Sequence, residues 1–127
     1  MTNHCTYEQS LALKEIGFDM PVRDWYTNSL KGTLLLSSEG YQNFNISDVL
    51  TSAPTHSEVL QWAREKHGID AWVEPYYTML NGKAYGYTIF NIVTAYEGLC
   101  THPEAESALV DKIIELIKEK ITTPSAE

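Results

Sequence analysis

The side chains able to act as ligands, acids or nucleophiles are four histidines, two cysteines and seventeen carboxylates. A protein metal site needs three or four donors converging on one ion, and His4, His56, His67 and His102 share no HExxH or zinc-finger spacing. His56 and His67 stand eleven positions apart on nearly one face of a helical segment. A rise of about 1.5 Å per residue separates them by roughly 16 Å, too far to share an ion. His67, in the last turn before Gly68, suits a helix C-terminus instead. Cys100 and His102 could both touch a metal, but two donors do not make a site.

Asp111 and Glu115 stand one helical turn apart, and Glu115 and Glu119 repeat the spacing. General acid–base chemistry needs carboxylates whose pKa values are driven apart in a cleft. Here Lys112, Lys118 and an apolar opposite face mark a solvated helix surface. GxGxxG, P-loop, GxSxG and CxxC patterns are missing, and with them the usual phosphate cradles and nucleophile elbows. Asn81-Gly82-Lys83 lacks the upstream glycines of a phosphate loop, and a hairpin turn accounts for it. The expectation is a protein with no catalytic residues, no metal and no cofactor.

Residues 72 to 92 read WVEPYYTMLNGKAYGYTIFNI, two aromatic-rich runs around an Asn-Gly pair. Asn-Gly tolerates the two positive φ angles of a type I′ turn, so a two-residue turn is expected at Asn81-Gly82 with Leu80 facing Lys83. In that register Tyr76 lies opposite Tyr87, an aromatic pair contributing roughly 0.2 to 1 kcal/mol. One face then carries Val73, Tyr77, Met79, Ala84, Phe90 and Ile92 as the core side. The other carries Trp72, Glu74, Tyr76, Thr78, Tyr85, Tyr87 and Ile89. Trp72, Tyr76, Tyr85 and Tyr87 are therefore the candidate binding face, because Tyr and Trp are enriched at interface hot spots. If helices cover one sheet face only, this patch is left for the 37 to 54 stretch, a second subunit, a ligand or a host protein to cover.

The elements that must position these residues are legible from caps and periodicity. Thr6 and Gln9 frame a capping box, and Tyr7, Leu11, Leu13 and Ile16 recur at helical spacing until Gly17. Two short extended segments follow around Asn28 to Gly32, with Leu34 to Leu36 apolar enough for a central strand. Residues 37 to 54 have no sustained period and predict a long loop, with a short strand around Phe44 to Ile46. Thr55 and Glu58 frame a second capping box, before a helix that Gly68 closes. The hairpin strands are expected over 70 to 79 and 84 to 93, then a loop. A third box, Thr101 and Glu104, opens a last helix with Leu109, Val110, Ile113, Ile114, Leu116, Ile117 and Ile121 as its apolar stripe. The order α-β-(β)-α-β-β-α with hairpin connections predicts an α+β fold, a mainly antiparallel sheet of three to five strands with about three helices on one face. A single domain over 1 to 127 is expected, with 122 to 127 as a frayed tail.

A chain of 127 residues with 43% hydrophobic and 20% charged residues has the size and composition to bury a core without staples. The formal charge of −8, with the nine Lys and Arg dispersed along the chain, disfavours nucleic acid and anionic membranes as partners. The start MTNHCTYEQS carries neither a basic region nor an apolar run, and a cytoplasmic protein is expected. Cys5 and Cys100 are accordingly expected as free thiols, Cys100 packed as a small hydrophobe. Asn45-Ile46-Ser47 matches the glycosylation triplet, which is uninformative without export.

Three segments, CTYEQSLALKEIGFD, APTHSEVLQWAREKHGI and THPEAESALVDKIIELIKEK, together resemble small uncharacterised proteins encoded by phages and prophages of gut Bacteroidetes. In that family a segment like LAPT-x-x-x-VFKWFREK leads into a hairpin with aromatic strands, and a last helix opens with a pattern like YEEAE. The matching positions are Pro54, Thr55, Trp62, Arg64, Glu65, Lys66, Glu104, Ala105 and Glu106, mostly caps, helix faces and core. Ala63 and His102-Pro103 depart from the pattern. The resemblance spans most of the chain apart from 37 to 54 and carries over no catalytic residue. It implies a phage-derived protein made in a bacterial cytoplasm. With the aromatic face, the expectation is an accessory protein acting by contact with itself, as a homodimer, or with a host protein. The alternative is a small-molecule binder, with Arg64, Lys66 or Lys83 meeting the ligand's charge.

Overall fold

A threonine stands at the head of each helix, and its hydroxyl meets an amide that the first turn leaves unpaired. The computed structural model describes residues 4–28, 33–36, 40–78, 82–99 and 101–122. Helix α1 spans Tyr7–Glu15 and α2 spans His56–His67. The Gln9 amide donates to Thr6 Oγ1 at 3.1 Å and the Thr6 amide to Gln9 Oε1 at 2.9 Å. Thr55 and Glu58 repeat this reciprocal box at 3.2 and 2.8 Å. Helix α3, His102–Thr122, opens with the Glu104 amide donating to Thr101 Oγ1 at 3.2 Å. Gly68 ends α2 at a φ of 64°, a left-handed position that costs glycine nothing.

The strands form two antiparallel sheets. Strands β1 (Asp24–Thr27), β2 (Thr33–Leu36) and β3 (Leu50–Ser52) make the first, in the order β2-β1-β3. Strands β4 (Ala71–Thr78), β5 (Gly82–Ile89) and β6 (Val93–Leu99) make the second, in the order β4-β5-β6. The fold is a single-domain α+β, with three helices and hairpin connections as its element order predicts. The single sheet of the expectation is divided into two. Leu34–Leu36 forms an edge strand instead of a central one, with Leu35 37% exposed. Phe44–Ile46 is a 3-10 turn, and the strand of that region is β3, four residues later. Strand β6 occupies the stretch expected as a loop, and its register on β5 shifts between Tyr85 and Tyr87.

The 72–92 hairpin differs from expectation in a way that matters more. Thr78 pairs with Gly82, Tyr76 with Ala84, and Val73 with Tyr87. Residues 79–81, Met79 among them, separate the paired positions and lie outside the described residues. Gly82 itself, paired with Thr78 at the start of β5, carries a positive φ of 71°, a conformation open to glycine. The register is therefore displaced by three positions from that of a two-residue turn, and an odd displacement exchanges the faces of one strand relative to the other. Ala71, Val73, Tyr87 and Ile89 now share the inner face and pack in or against the core. Phe90, expected inside, passes to the outer side and is 64% exposed, whereas Tyr77 keeps the parity of Val73 and is 83% exposed opposite Lys83 near the hairpin end, and Ile92, beyond β5, is 57% exposed.

The core centres on α3. Ala105, Leu109, Val110, Ile113, Ile114 and Ile117 are buried, and the helix packs on α1, α2, β4, β5 and β6. Phe18 and Trp62, ring centroids 5.0 Å apart, close one side. Trp25 and Phe44, 4.7 Å apart, tie the 3-10 turn to the first sheet. Within residues 40–54, Leu50–Ser52 pairs with β1 and Phe44 packs on Trp25. Among the described residues no helix is long and apolar enough to cross a membrane.

The register is testable by paired truncations. Tyr87→Ala, which empties a core position, lowers the unfolding free energy by about 3 kcal/mol or more, whereas Tyr77→Ala changes it by less than about 0.5 kcal/mol. Urea titrations of both variants check this. A Tyr87 cost as small as that of Tyr77 would restore the two-residue turn.

Candidate functional site

The four aromatic residues expected to share one face are divided by the hairpin register. Tyr85 and Tyr87 lie on the inner face with Val73 and Ile89. Tyr87 is a core residue, 5% exposed. Tyr85 is half-buried, its ring 5.5 Å from His102 at the head of α3, with Lys83 Nζ 5.4 Å from its centroid. Trp72 and Tyr76 lie on the outer face with Glu74, Ala84, Gly86 and Thr88. None of this outer set belongs to the main core cluster, although Ala84 and Gly86 are buried. The four-ring patch is thus corrected to a two-ring outer face, and the expected Tyr76–Tyr87 pair is not made.

Trp72 has a different neighbour from the one expected. It is 42% exposed, and with Phe90, Arg64, Asp70 and Ala71 it lines a hollow of about 370 Å³ beside the end of α2. The Phe90 amide donates to the Asp70 carbonyl at 2.8 Å. That bond fixes the corner where Phe90 leaves β5. Phe90 escaped the sequence reading because its parity placed it on the core side. Thr88 Oγ1 donates to Glu74 Oε1 at 2.5 Å across the same outer face.

A second constellation joins residues far apart in sequence. His4 Nε2 lies 2.5 Å from Asp24 Oδ2, with both side chains about nine-tenths buried. His56 Nδ1 lies 3.5 Å and His102 Nδ1 3.7 Å from the same Glu106 Oε1. His56 and Glu106 are buried, whereas His102 is half-exposed. Burial outweighs the neighbouring Glu106 and holds the His56 imidazole below its ordinary pKa. The one local signal for this cluster was the i,i+4 pair His102 and Glu106. His4, Asp24 and His56 meet only through tertiary packing.

The arrangement offers little for covalent chemistry. Cys5 is a free thiol at 0% exposure, and burial, reinforced by Asp111, pushes its pKa far above the ordinary range. Reactive cysteines need the opposite surroundings. Cys100 lies outside the described residues. Asp111 is exposed but accepts from Gln9 Nε2 at 2.9 Å, tying α1 to α3, and Glu115 lies 3.5 Å from Lys112. His67, expected as a cation at the end of α2, has its pKa lowered by burial and sits with its ring 4.9 Å from Trp62. Among the described residues no three His, Cys, Asp or Glu side chains are grouped to hold a metal ion. Compared with protein-family models, with curated proteins and with solved structures, the chain matches none.

The His56 environment predicts a pH dependence with a definite sign. The unfolded chain binds the His56 proton more readily than the folded one, so this group's stabilisation is complete above its ordinary value of 6.5 and is lost as the pH falls below it. Urea midpoints are expected to decline from about pH 7.5 to about pH 5.5, and His56→Gln is expected to flatten that part of the decline. A midpoint that rises on acidification would contradict this.

Proposed function

We propose that the chain is a non-catalytic accessory protein of phage type that works in a bacterial cytoplasm by binding a host protein through the outer face of its second sheet. The setting rests on the resemblance of residues 53 to 69 and 101 to 120 to phage and prophage proteins. The observation that supports the contact is the hollow lined by Trp72 and Phe90, two large rings that are 42% and 64% exposed at the edge of a sheet whose core lies on its other face. Two exposed rings lining one hollow are the kind of apolar surface that an interaction site uses. The partner's anchor is an apolar side chain seated between the rings, within a rim of basic residues. Asp70 beside the hollow and Glu74 on the same sheet face attract that rim, and the net charge of −8 favours a basic partner over a second, equally acidic copy.

A small-molecule ligand is the second reading. The hollow's 370 Å³ falls within the roughly 300 to 1,000 Å³ of ligand pockets, and Arg64 stands beside the two rings. Thermal-shift measurements separate the two readings. A small molecule present at about 100 times its dissociation constant adds roughly 2.7 kcal/mol of stability, which a protein-binding surface does not gain from metabolites.

The protein contact is tested with Trp72→Ser/Phe90→Ser against Tyr41→Ser, a 67% exposed tyrosine outside the hairpin. A host protein captured by the wild-type chain is purified and rebound in solution. Its affinity is expected to drop at least about tenfold for the double variant and to stay unchanged for Tyr41→Ser. It is also expected to weaken as salt rises from about 0.05 to about 0.5 M. Equal binding by both variants would overturn the reading. So would a chain that doubles its mass in light scattering through these rings and binds no host protein.

A further inference from the structure

A strand at the edge of a sheet leaves every second amide and carbonyl without a neighbouring strand, and such an edge is either blunted or open to pairing. In the first sheet the Asn28 amide donates to the Val49 carbonyl at 3.0 Å and the Ala53 amide to the Asp24 carbonyl at 2.9 Å. Even-numbered residues of β1 therefore turn their backbone groups to β3, and odd-numbered ones turn theirs to β2. Trp25 opposite Leu35 and Thr27 opposite Thr33 are then the hydrogen-bonded pairs of β1 with β2. The amides and carbonyls of Leu34 and Leu36 point away from the sheet.

Strands β3 and β4 are edges too, and both are blunted. On β3 the outward residues are Leu50 and Ser52, because Thr51 pairs with Tyr26. Lys14 Nζ donates to the Leu50 carbonyl at 2.8 Å, and the Ser52 amide donates to Asn45 Oδ1 at 2.8 Å. On β4 the bond from the Phe90 amide to the Asp70 carbonyl turns the odd-numbered residues outward, and Pro75 among them has no amide to offer. Strand β2 carries neither device. Its residues Thr33, Leu34, Leu35 and Leu36 include no charge and no proline. Among the described residues nothing meets the outward amide or carbonyl of Leu34 or Leu36.

We infer that two copies of the chain join their first sheets through β2, antiparallel about a two-fold axis at Leu35. In that register Leu34 of each copy faces Leu36 of the other, and the outward amides and carbonyls of both strands pair. Leu35 meets its own counterpart in a non-hydrogen-bonded position, where side chains lie closest, and the surface it leaves exposed is covered by an identical leucine. A second copy is the occupant because the segment is complementary to itself. Lys31 and Glu39 stand four positions to either side of Leu35 in sequence, so the same register sets lysine of one copy against glutamate of the other at both ends. The charge of −8 on each copy opposes the approach, but at physiological salt exposed charges are screened beyond about 8 Å, and the strand contact is not. Strand β2 belongs to the first sheet and the hollow of Trp72 and Phe90 to the second, so the dimer does not rest on the host contact.

Sedimentation velocity from about 1 µM to about 1 mM chain tests the association, and the mass is expected to rise from one chain to two. Leu35→Lys, which opposes two ammonium groups at the axis, is expected to weaken association at least about tenfold with far-ultraviolet ellipticity unchanged. Ile46→Lys is expected to leave it unchanged, since Ile46 is 85% exposed beside the Asn45 that closes the β3 edge. Trp72→Ser/Phe90→Ser is expected to leave it unchanged as well. Leu35→Cys reads the register independently, because a non-hydrogen-bonded antiparallel pair has its Cα atoms about 4.5 Å apart, within reach of a disulfide. Oxidised glutathione is expected to link two copies at position 35, identified by peptide mass spectrometry apart from Cys5 and Cys100, and not to link Ile46→Cys. The inference is overturned if the chain keeps the mass of one copy up to about 1 mM, if folded Leu35→Lys associates like the wild type, or if Leu35→Cys links no faster than Ile46→Cys. A monomeric chain that adds an extended host peptide at β2 overturns it too.

Discussion

The buried stripe of α3 is the constraint on which the other elements depend. Ala105, Leu109, Val110, Ile113 and Ile117 have no exposed surface, and full burial of each larger side chain contributes about 1.5 to 3 kcal/mol. Because α3 packs on both other helices and on all three strands of the second sheet, it sets which sheet face is inside. The same helix delivers Glu106 and His102 to the junction and receives α1 through Gln9 Nε2, which lies 3.1 Å from the Ser107 carbonyl and 2.9 Å from Asp111 Oδ1. Packing and the polar ties are thus two consequences of one amphipathic stripe.

Hairpin parity then decides what the sheet can present outward. Given α3 on one side, a register with Val73 opposite Tyr87 places Tyr87 and Ile89 inside. The outer face is left with Trp72, Glu74 and Tyr76 from β4, set against Ala84, Gly86 and Thr88 from β5. Small residues on β5 make that face shallow, and Trp72 reaches the exposed corner where Phe90 turns away. A two-residue turn would instead have sent Phe90 inward and Tyr87 out. The side-chain period of two makes such an exchange all or nothing.

The sequence was legible where the information is local. Thr6, Thr55 and Thr101 announce the helix starts because a hydroxyl and its amide partner lie three residues apart. The α+β class follows from helix stripes joined by hairpin-length connections. It was illegible where long-range partners decide. Leu34–Leu36 has the composition of a buried strand, yet β1 pairs with β3 on its other side and leaves β2 at the edge. Asn81-Gly82 signals a hairpin but not its loop length, because a glycine with positive φ serves both two- and three-residue connections. Of the four candidate aromatic residues, Trp72 and Tyr76 keep an outward position, and Tyr85 and Tyr87 turn inward for this single reason.

The junction of His4, Asp24, His56 and Glu106 shows the same division from the side of electrostatics. No spacing announces it, since its members come from the chain start, β1, α2 and α3. An apolar set of similar volume would seal these elements together at least as firmly, so stability alone does not account for imidazoles at this place. Imidazole is the side chain whose ordinary pKa lies close to neutrality. Burying it against a carboxylate makes the contact conditional on proton concentration in a way that leucine or isoleucine cannot. At the outer corner of the second sheet the rings of Trp72 and Phe90 do not titrate. The amphipathic stripe of α3 therefore underlies both a junction that holds titratable groups and a corner whose rings do not titrate.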